Sequence, residues 1–118
     1  MTKEKRDCIF CKISNGEIEV GRVYENDNFL AFPDANPRVE GHTLIVPKKH
    51  FLNILDMPAS LGSELIDAIK NVAKIRMDEG AEGFNIVQNN FSVAGQVVMH
   101  AHFHLLPRKE GDGLELIK

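Results

Sequence analysis

Three imidazoles stand at alternate positions in one short run, Gly95-Gln96-Val97-Val98-Met99-His100-Ala101-His102-Phe103-His104-Leu105-Leu106-Pro107. On a β-strand, side chains two apart share a face, so the spacing predicts His100, His102 and His104 in a row, roughly 6.5–7 Å apart. The opposite face takes Ala101, Phe103 and Leu105, which are apolar and read as core. A strand of this kind lines a site with its outer, imidazole face. The chain has 5 histidines in 118 residues, and placing three on one surface by accident is an unlikely use of them, which argues against a merely solvated amphipathic strand. Two chemistries suit the pattern. One is a three-histidine metal site. The other is nucleophilic and acid–base catalysis, since neutral imidazole attacks phosphorus and its charged form donates hydrogen bonds to anions.

Other residue types could join that chemistry. Cys8-x-x-Cys11 is open to three readings: a redox pair, half of a zinc site, or idle thiols. A redox pair belongs at a helix start after a strand, and no strand is predicted before Cys8. A zinc site needs two more ligands. Gly95 allows the close backbone approach by which main-chain N–H groups hold an anion, although a glycine in a loop is commonly just a turn. Asp34, in Phe32-Pro33-Asp34-Ala35-Asn36-Pro37, could accept hydrogen bonds from a ligand or simply form a turn before Asn-Pro.

The elements that must position these residues follow from periodicity. Ile9, Phe10, Ile13 and Ile18 predict a short helix within residues 8–18, broken by Asn15-Gly16. Val23-Tyr24 and residues 29–32 flank Glu25-Asn26-Asp27-Asn28, which predicts a hairpin. Residues 43–46 read as a strand stopped by Pro47. After Pro58, Leu61, Leu65, Ile66, Ile69, Val72, Ala73 and Met77 recur at three- and four-residue steps, which predicts one long helix ending before Gly80. Residues 84–87 and 102–106 read as two further strands, with 89–95 a loop between them. The expected class is α+β: about five mainly antiparallel strands, one long helix and one short one, in a single domain over residues 1–118.

Composition narrows the function. The chain is 43% hydrophobic and 26% charged, ordinary for a globular protein, with a net charge of -3. That balance argues against a nucleic-acid binder, which needs a clustered basic surface. No apolar run approaches the roughly 20 residues that span a bilayer. Residues 1–7 are charged with no apolar stretch behind them, so no targeting signal is expected and a cytoplasmic location is. In that compartment a structural disulfide between the two cysteines is disfavoured.

The histidine run resembles the His-x-His-x-His-x-x signature of the histidine triad (HIT) family, with apolar residues at the x positions. The resemblance extends to Gly95-Gln96, to Asn89, to Gly41-His42-Thr43-Leu44-Ile45-Val46-Pro47-Lys48-Lys49-His50, and to Cys8-Ile9-Phe10-Cys11-Lys12-Ile13, covering roughly residues 8–107. It is strongest to the Hint branch: nucleoside phosphoramidate hydrolases, typically homodimers whose sheets join across the interface. The resemblance implies a purine nucleotide substrate, with His102 as the nucleophile that forms a nucleotidyl-histidine. A backbone carbonyl would fix its tautomer, His104 would contact phosphate or leaving group, and His42 would stand beside the triad.

It further implies that Asn89, Gly95 and Gln96 hold the phosphate and that Asp34 accepts from the ribose hydroxyls. An apolar slot including Ile9, Phe10, Phe32 and Ala35 would take the base. Zinc would be structural, held by Cys8, Cys11, His50 and His100. This chain departs from the family at Val97, where Ser or Thr is common; valine offers phosphate only its backbone N–H. The same nucleophile would also serve a dinucleoside polyphosphate hydrolase or phosphorylase. Val97 leaves room for a weakly catalytic nucleotide-binding scaffold as well.

Overall fold

The computed structural model describes residues 7–118; residues 1–6, on which most of the expectation about a targeting signal falls, lie outside the described residues. Five strands form one sheet: β1 (Tyr24–Glu25), β2 (Phe29–Pro33), β3 (Thr43–Pro47), β4 (Gly83–Val87) and β5 (Phe103–Arg108). Their order is β1-β2-β3-β5-β4 and every pairing is antiparallel. The predicted hairpin joins β1 to β2, and Asn26 makes its turn. The Asn26 Oδ1 accepts from the N–H groups of Asn28 and Phe29 at 3.2 and 2.9 Å.

The two-residue alternation of the strands divides the core into two layers. Phe29, Ala31, Ile45, Phe103 and Leu105 face the long helix α2 (Gly62–Asp78), which meets them with Ala68, Val72 and Ala73. Leu30, Phe32, Leu44 and Val46 face the short helix α1 (Ile9–Ser14), which covers them with Phe10 and Ile13. A six-residue helix is not stable alone. Burying Phe10 and Ile13 contributes roughly 1.5–3 kcal/mol each, which is what holds α1 in place. Its N-terminus is capped by Cys8, whose Sγ accepts from the Cys11 N–H at 3.4 Å.

Two expectations need correction. Leu61, just before α2, and Leu65 and Ile69 within it pack against the core with Val72 and Ala73, as expected, but Ile66 and Met77 are 54% and 40% exposed. The buried stripe runs through Leu65, Ala68, Ile69, Val72 and Ala73, so positions 66 and 77 fall on its flanks; Ala68, small enough to let the helix approach the sheet, is the missed member. The second correction concerns the histidine run. The strand begins at Phe103, not His102, and runs to Arg108. Residues 98–100 bend, and the Ala101 N–H is anchored on the Phe51 carbonyl at 2.7 Å. Only His104 therefore sits in the ladder, paired with Leu44 of β3 and Val87 of β4. No helix among the described residues is long and apolar enough to cross a membrane.

Candidate active site

The histidines lie on the α1 face of the sheet, beneath the short helix rather than on an open outer surface. Phe10 stands edge-on to the rings of His100 and His102, with centroids 5.6 and 5.2 Å away. The His102 and His104 rings follow one another at 5.1 Å. His100 is fully buried and His102 nearly so, while His104 is half-buried.

Main-chain groups decide which nitrogen of each ring carries the proton. His102 Nδ1 lies 2.7 Å from the carbonyl oxygen of His100. A carbonyl can only accept, so Nδ1 donates, and in the neutral ring Nε2 keeps its lone pair. His100 Nε2 lies 2.8 Å from the Pro47 carbonyl and donates likewise, which leaves its Nδ1 unprotonated. His42 is the reverse case: its Nδ1 accepts from the Arg38 N–H at 3.0 Å, so its proton is on Nε2. That Nε2–H donates to His104 Nδ1 at 2.9 Å, with Asp34 Oδ2 a charged neighbour 3.3 Å from the same nitrogen. His104 therefore accepts at Nδ1 and carries its own proton on Nε2. Neither His102 Nε2 nor His104 Nε2 makes a protein hydrogen bond among the described residues. One lone pair and one N–H donor thus stand side by side for a ligand.

Burial lowers the proton affinity of the His42–His104 pair. His104 is pushed down to about 4 from 6.5, chiefly by burial, then by the neighbouring His102 and His42; Asp34 opposes the shift and Arg38 adds to it. His42 is lowered mainly by burial, partly offset by Asp34. Both rings are neutral at pH 7.

Two groups of side chains gather metal-type donors, with ligand atoms within 4.8 Å of one another in each: Cys8, Cys11, His50 and His100, and Asp34, His42 and His104. Their chemistry differs. In the first, His100 Nδ1 lies 3.2 and 3.6 Å from the sulfurs of Cys8 and Cys11, and His50 Nδ1 lies 3.4 Å from Cys11 Sγ. Bond lengths of about 2.3 Å to sulfur and 2.0–2.1 Å to nitrogen put tetrahedral zinc donors roughly 3.3–3.8 Å apart, so the set fits. The Pro47 carbonyl already turns the His100 lone pair toward it, as an outer partner of a metal ligand does. Cys8 and Cys11 form no disulfide. In the second group, the Arg38 N–H holds the His42 proton on Nε2, the atom turned toward its neighbours. A neutral ring in that tautomer has no lone pair there for a metal. The second group is a hydrogen-bonded relay.

The loop before the histidines carries the remaining expected residues. Gly95 has φ +100°, and a Cβ there would meet the Asn89 amide nitrogen at 3.2 Å, so glycine is required. Asn89 Nδ2 donates weakly to the Gly95 carbonyl at 3.4 Å. The N–H groups of Gly95 and Gln96 are already bonded to the carbonyls of Ser92 and Phe91. The Gln96 side chain is buried and works inside the loop, accepting from Phe91 N–H at 2.8 Å and donating to the carbonyls of Leu52 and Val98 at 2.6 and 3.1 Å. It thereby holds Phe91 at φ 75° and ψ 151°, a strained conformation for a residue other than glycine. Gly95 and Gln96 thus shape the loop, and the main-chain N–H groups of Val97 and Val98, which follow them, are among those of the loop that make no hydrogen bond within the described residues. The Val97 side chain is 86% exposed. Of the apolar slot, Phe10 and Phe32 are buried in edge contact at 5.8 Å, with Ile9 and Ala35 exposed.

Sequence reasoning missed the groups that set the tautomers, namely the Arg38 N–H and the Pro47 carbonyl. Backbone atoms leave no residue-type signal.

The fold and site define an antiparallel α+β domain with its imidazoles gathered under a short helix, and comparison with known proteins places it more closely. The HIT domain family matches residues 15–111. The chain is 51% identical over 111 residues to an uncharacterized HIT-like protein of Methanocaldococcus jannaschii, covering 94% of this chain and 85% of that one. It is 39% identical to an adenylylsulfatase of Arabidopsis thaliana (93% of this chain, 56% of that protein). It is 40% identical to an adenosine 5'-monophosphoramidase of Candida albicans (87% and 71%). Its fold superposes on a zinc-bound histidine triad family protein from Mycobacterium smegmatis with TM-score 0.86, at 35% identity, covering 92% of this chain and 80% of that one. The protein is a member of the histidine triad family.

The depressed proton affinity of His104 has a stability consequence. Between pH 6.5 and about 4 the unfolded chain binds a proton at this histidine and the folded chain does not. The contribution is fully present above pH 6.5 and is lost as pH falls through about 4. The urea midpoint is expected to drop across this window, and to drop less in His104→Asn. Equal slopes in the two proteins would contradict the buried, neutral relay.

Proposed function

We propose that this protein hydrolyses nucleoside phosphoramidates, or related conjugates of purine nucleoside monophosphates, through a nucleotidyl intermediate on His102. The observation that carries the reading is the His102 Nδ1 hydrogen bond to the His100 carbonyl, which leaves Nε2 as a nucleophile beside the Nε2–H donor of His104. Membership of the family and the named activity of the Candida relative support it. In the first step His102 Nε2 forms a bond to the α-phosphorus and the phosphorus–nitrogen bond breaks, the amine taking a proton from His104. In the second, water attacks phosphorus and gives a proton back to His104, the His102–phosphorus bond breaks, and the nucleoside monophosphate leaves.

In this reading Asp34 accepts from the ribose hydroxyls. Phe10 and Phe32, with Ile9 and Ala35, flank the base. The phosphate rests on the N–H groups of Val97 and Val98, in a loop shaped by Asn89, Gly95 and Gln96. Val97 gives the leaving group an apolar neighbour where a hydroxyl is common in the family, which favours apolar over hydrogen-bonding leaving groups.

Cys8, Cys11, His50 and His100 would hold one structural zinc, tethering α1 to the sheet and supplying no reaction step; a reducing cytoplasm would keep both thiols available to it. The active form would be a homodimer. The edge strand β4 leaves a row of main-chain groups unpaired. It exposes Phe84 and Ile86 on the face of the sheet that carries α2, itself flanked by exposed Ile66 and Met77.

Four measurements test these assignments. His102→Ala is expected to lower hydrolysis of a nucleoside phosphoramidate by at least about 10³-fold. Rapid quench and mass mapping of the native enzyme should place the nucleotidyl adduct on His102; an adduct on His100 or His104 would reassign the nucleophile. Elemental analysis should find about one zinc per chain, and Cys8→Ala should lose it together with thermal stability, far more than it loses the chemical step; protein without zinc, and not stabilised by adding it, would contradict the site. Light scattering at tens of micromolar should give the mass of two chains, and a monomer would rule out the dimer.

A further inference from the structure

Arg76, in the last turn of α2, spends two of its three guanidinium nitrogens on an uncharged partner. Its Nε and Nη2 donate to Thr43 Oγ1 at 3.1 and 2.9 Å, while Nη1 bonds Glu79 at 2.8 Å. The Arg76 side chain is only 13% exposed, and Thr43 is fully buried. A hydroxyl has one proton and two lone pairs. Thr43 uses all of them, accepting twice from Arg76 and donating to the Gly41 carbonyl at 2.7 Å. A charged donor polarises the hydroxyl and strengthens that donation.

Thr43 and Gly41 bracket His42. The Gly41 carbonyl and the His42 N–H belong to one planar peptide unit. The Thr43 hydroxyl holds its carbonyl end, and the Val39 carbonyl holds its N–H end at 3.1 Å. Gly41 stands at φ +84°, where a Cβ would meet Pro107 Cγ at 3.1 Å and Arg76 Cδ at 3.4 Å, so the turn closes against the stem of Arg76 itself. By the alternation of β3, Thr43 shares the α2 face with Ile45, and His42 falls on the opposite face. The ring of His42 is thus aimed into the site by a clamp set on the other side of the sheet.

We propose that Arg76 is a positioning residue for His104, the acid of the reaction, acting through Thr43 and His42; the proposal rests on the hydrolase reading above. Fixing the Gly41–His42 peptide fixes the direction in which the His42 side chain leaves the main chain. The ring then presents Nδ1 to the Arg38 N–H at 3.0 Å and its Nε2–H to His104 Nδ1 at 2.9 Å. That second contact keeps the His104 proton on Nε2, the nitrogen that serves the leaving amine. Without Arg76 the Thr43 hydroxyl loses the two donors that hold it, the peptide is anchored less firmly, and the contact between His42 and His104 loosens. His102 is untouched, because its own tie runs to the His100 carbonyl.

Three variants test the clamp. Arg76→Met keeps most of the side chain and removes its donors, Thr43→Val keeps the shape of threonine without the hydroxyl, and Thr43→Ser keeps the hydroxyl. In protein labelled with nitrogen-15 histidine, the two ring nitrogens of a single tautomer resonate far apart and draw together when tautomers mix. Arg76→Met and Thr43→Val are expected to draw the His104 signals together and to leave those of His102 unmoved, while Thr43→Ser resembles the native protein. On a nucleoside phosphoramidate the first two should lose at least about tenfold in kcat with little change in KM. They should lose little on a nitrophenyl ester of the same nucleotide, whose leaving group needs no proton. The double variant should lose no more than either single one, since both act along one path. Unmoved His104 signals in both variants, signals of His102 that shift equally, or an equal loss on both substrates would overturn the proposal and leave Arg76 a support of the fold at large. If the native protein cleaves neither substrate, the hydrolase reading fails and the spectra alone decide: a selective change at His104 supports the coupling, and none overturns it.

Discussion

The hydrogen bond from His102 Nδ1 to the carbonyl of His100, 2.7 Å long, is the contact on which the chemistry of this protein turns. An imidazole has two nitrogens and, when neutral, one proton. Whichever nitrogen is tied to a carbonyl must hold that proton, and the other is left with a lone pair. His100 obeys the same rule through Pro47, with the opposite nitrogen tied and its lone pair turned to two thiols. His42 is tied to an N–H instead, so its proton faces inward. Identical side chains end with differently placed protons because the main chain offers each a different partner, and the proposed roles of nucleophile, metal ligand and relay follow from that.

His100 joins two of these sites. Its carbonyl orients His102, and its ring closes the Cys8–Cys11–His50 set. The short helix α1 is fastened at the same place, by the cap of Cys8 and by Phe10, whose ring touches both His100 and His102. Loss of the donor set would therefore loosen the helix and the nucleophile together. The sheet supplies the rigid part: the core beneath α2 is buried around Phe29, Ile45 and Leu105, and His104 projects from β5, the strand between β3 and β4. Sites built on strands hold their geometry more closely than sites on loops.

Much of this could be read in the order of residues. The hairpin at Asn26, the α+β class and the long helix follow from turn chemistry and periodicity, which are local. The gathering of Cys8 and Cys11 with His50 and His100 rested on family resemblance, since nothing local joins positions 11 and 50. What could not be read was directional. The alternation of His100, His102 and His104 predicted one exposed face, but a bend at residues 98–100 and the overlying Phe10 made it an interior. Gln96 was expected at the phosphate, and its buried side-chain amide is bonded within its own loop and to Leu52, because a buried amide bonds to the carbonyls it can reach. Ala68 fits the three- and four-residue steps of the stripe, but a methyl side chain is a weak apolar signal, and its small size lets α2 approach the sheet.

Main-chain groups assign the tautomers of His42, His100 and His102 before any ligand arrives. Long-range proton–nitrogen correlation spectra of protein labelled with nitrogen-15 histidine, recorded near pH 7, observe this directly. The account predicts the proton on Nδ1 of His102 and on Nε2 of His42, His100 and His104. A spectrum with the His102 proton on Nε2 would leave that atom without the lone pair needed to attack phosphorus, and would contradict the account at its root.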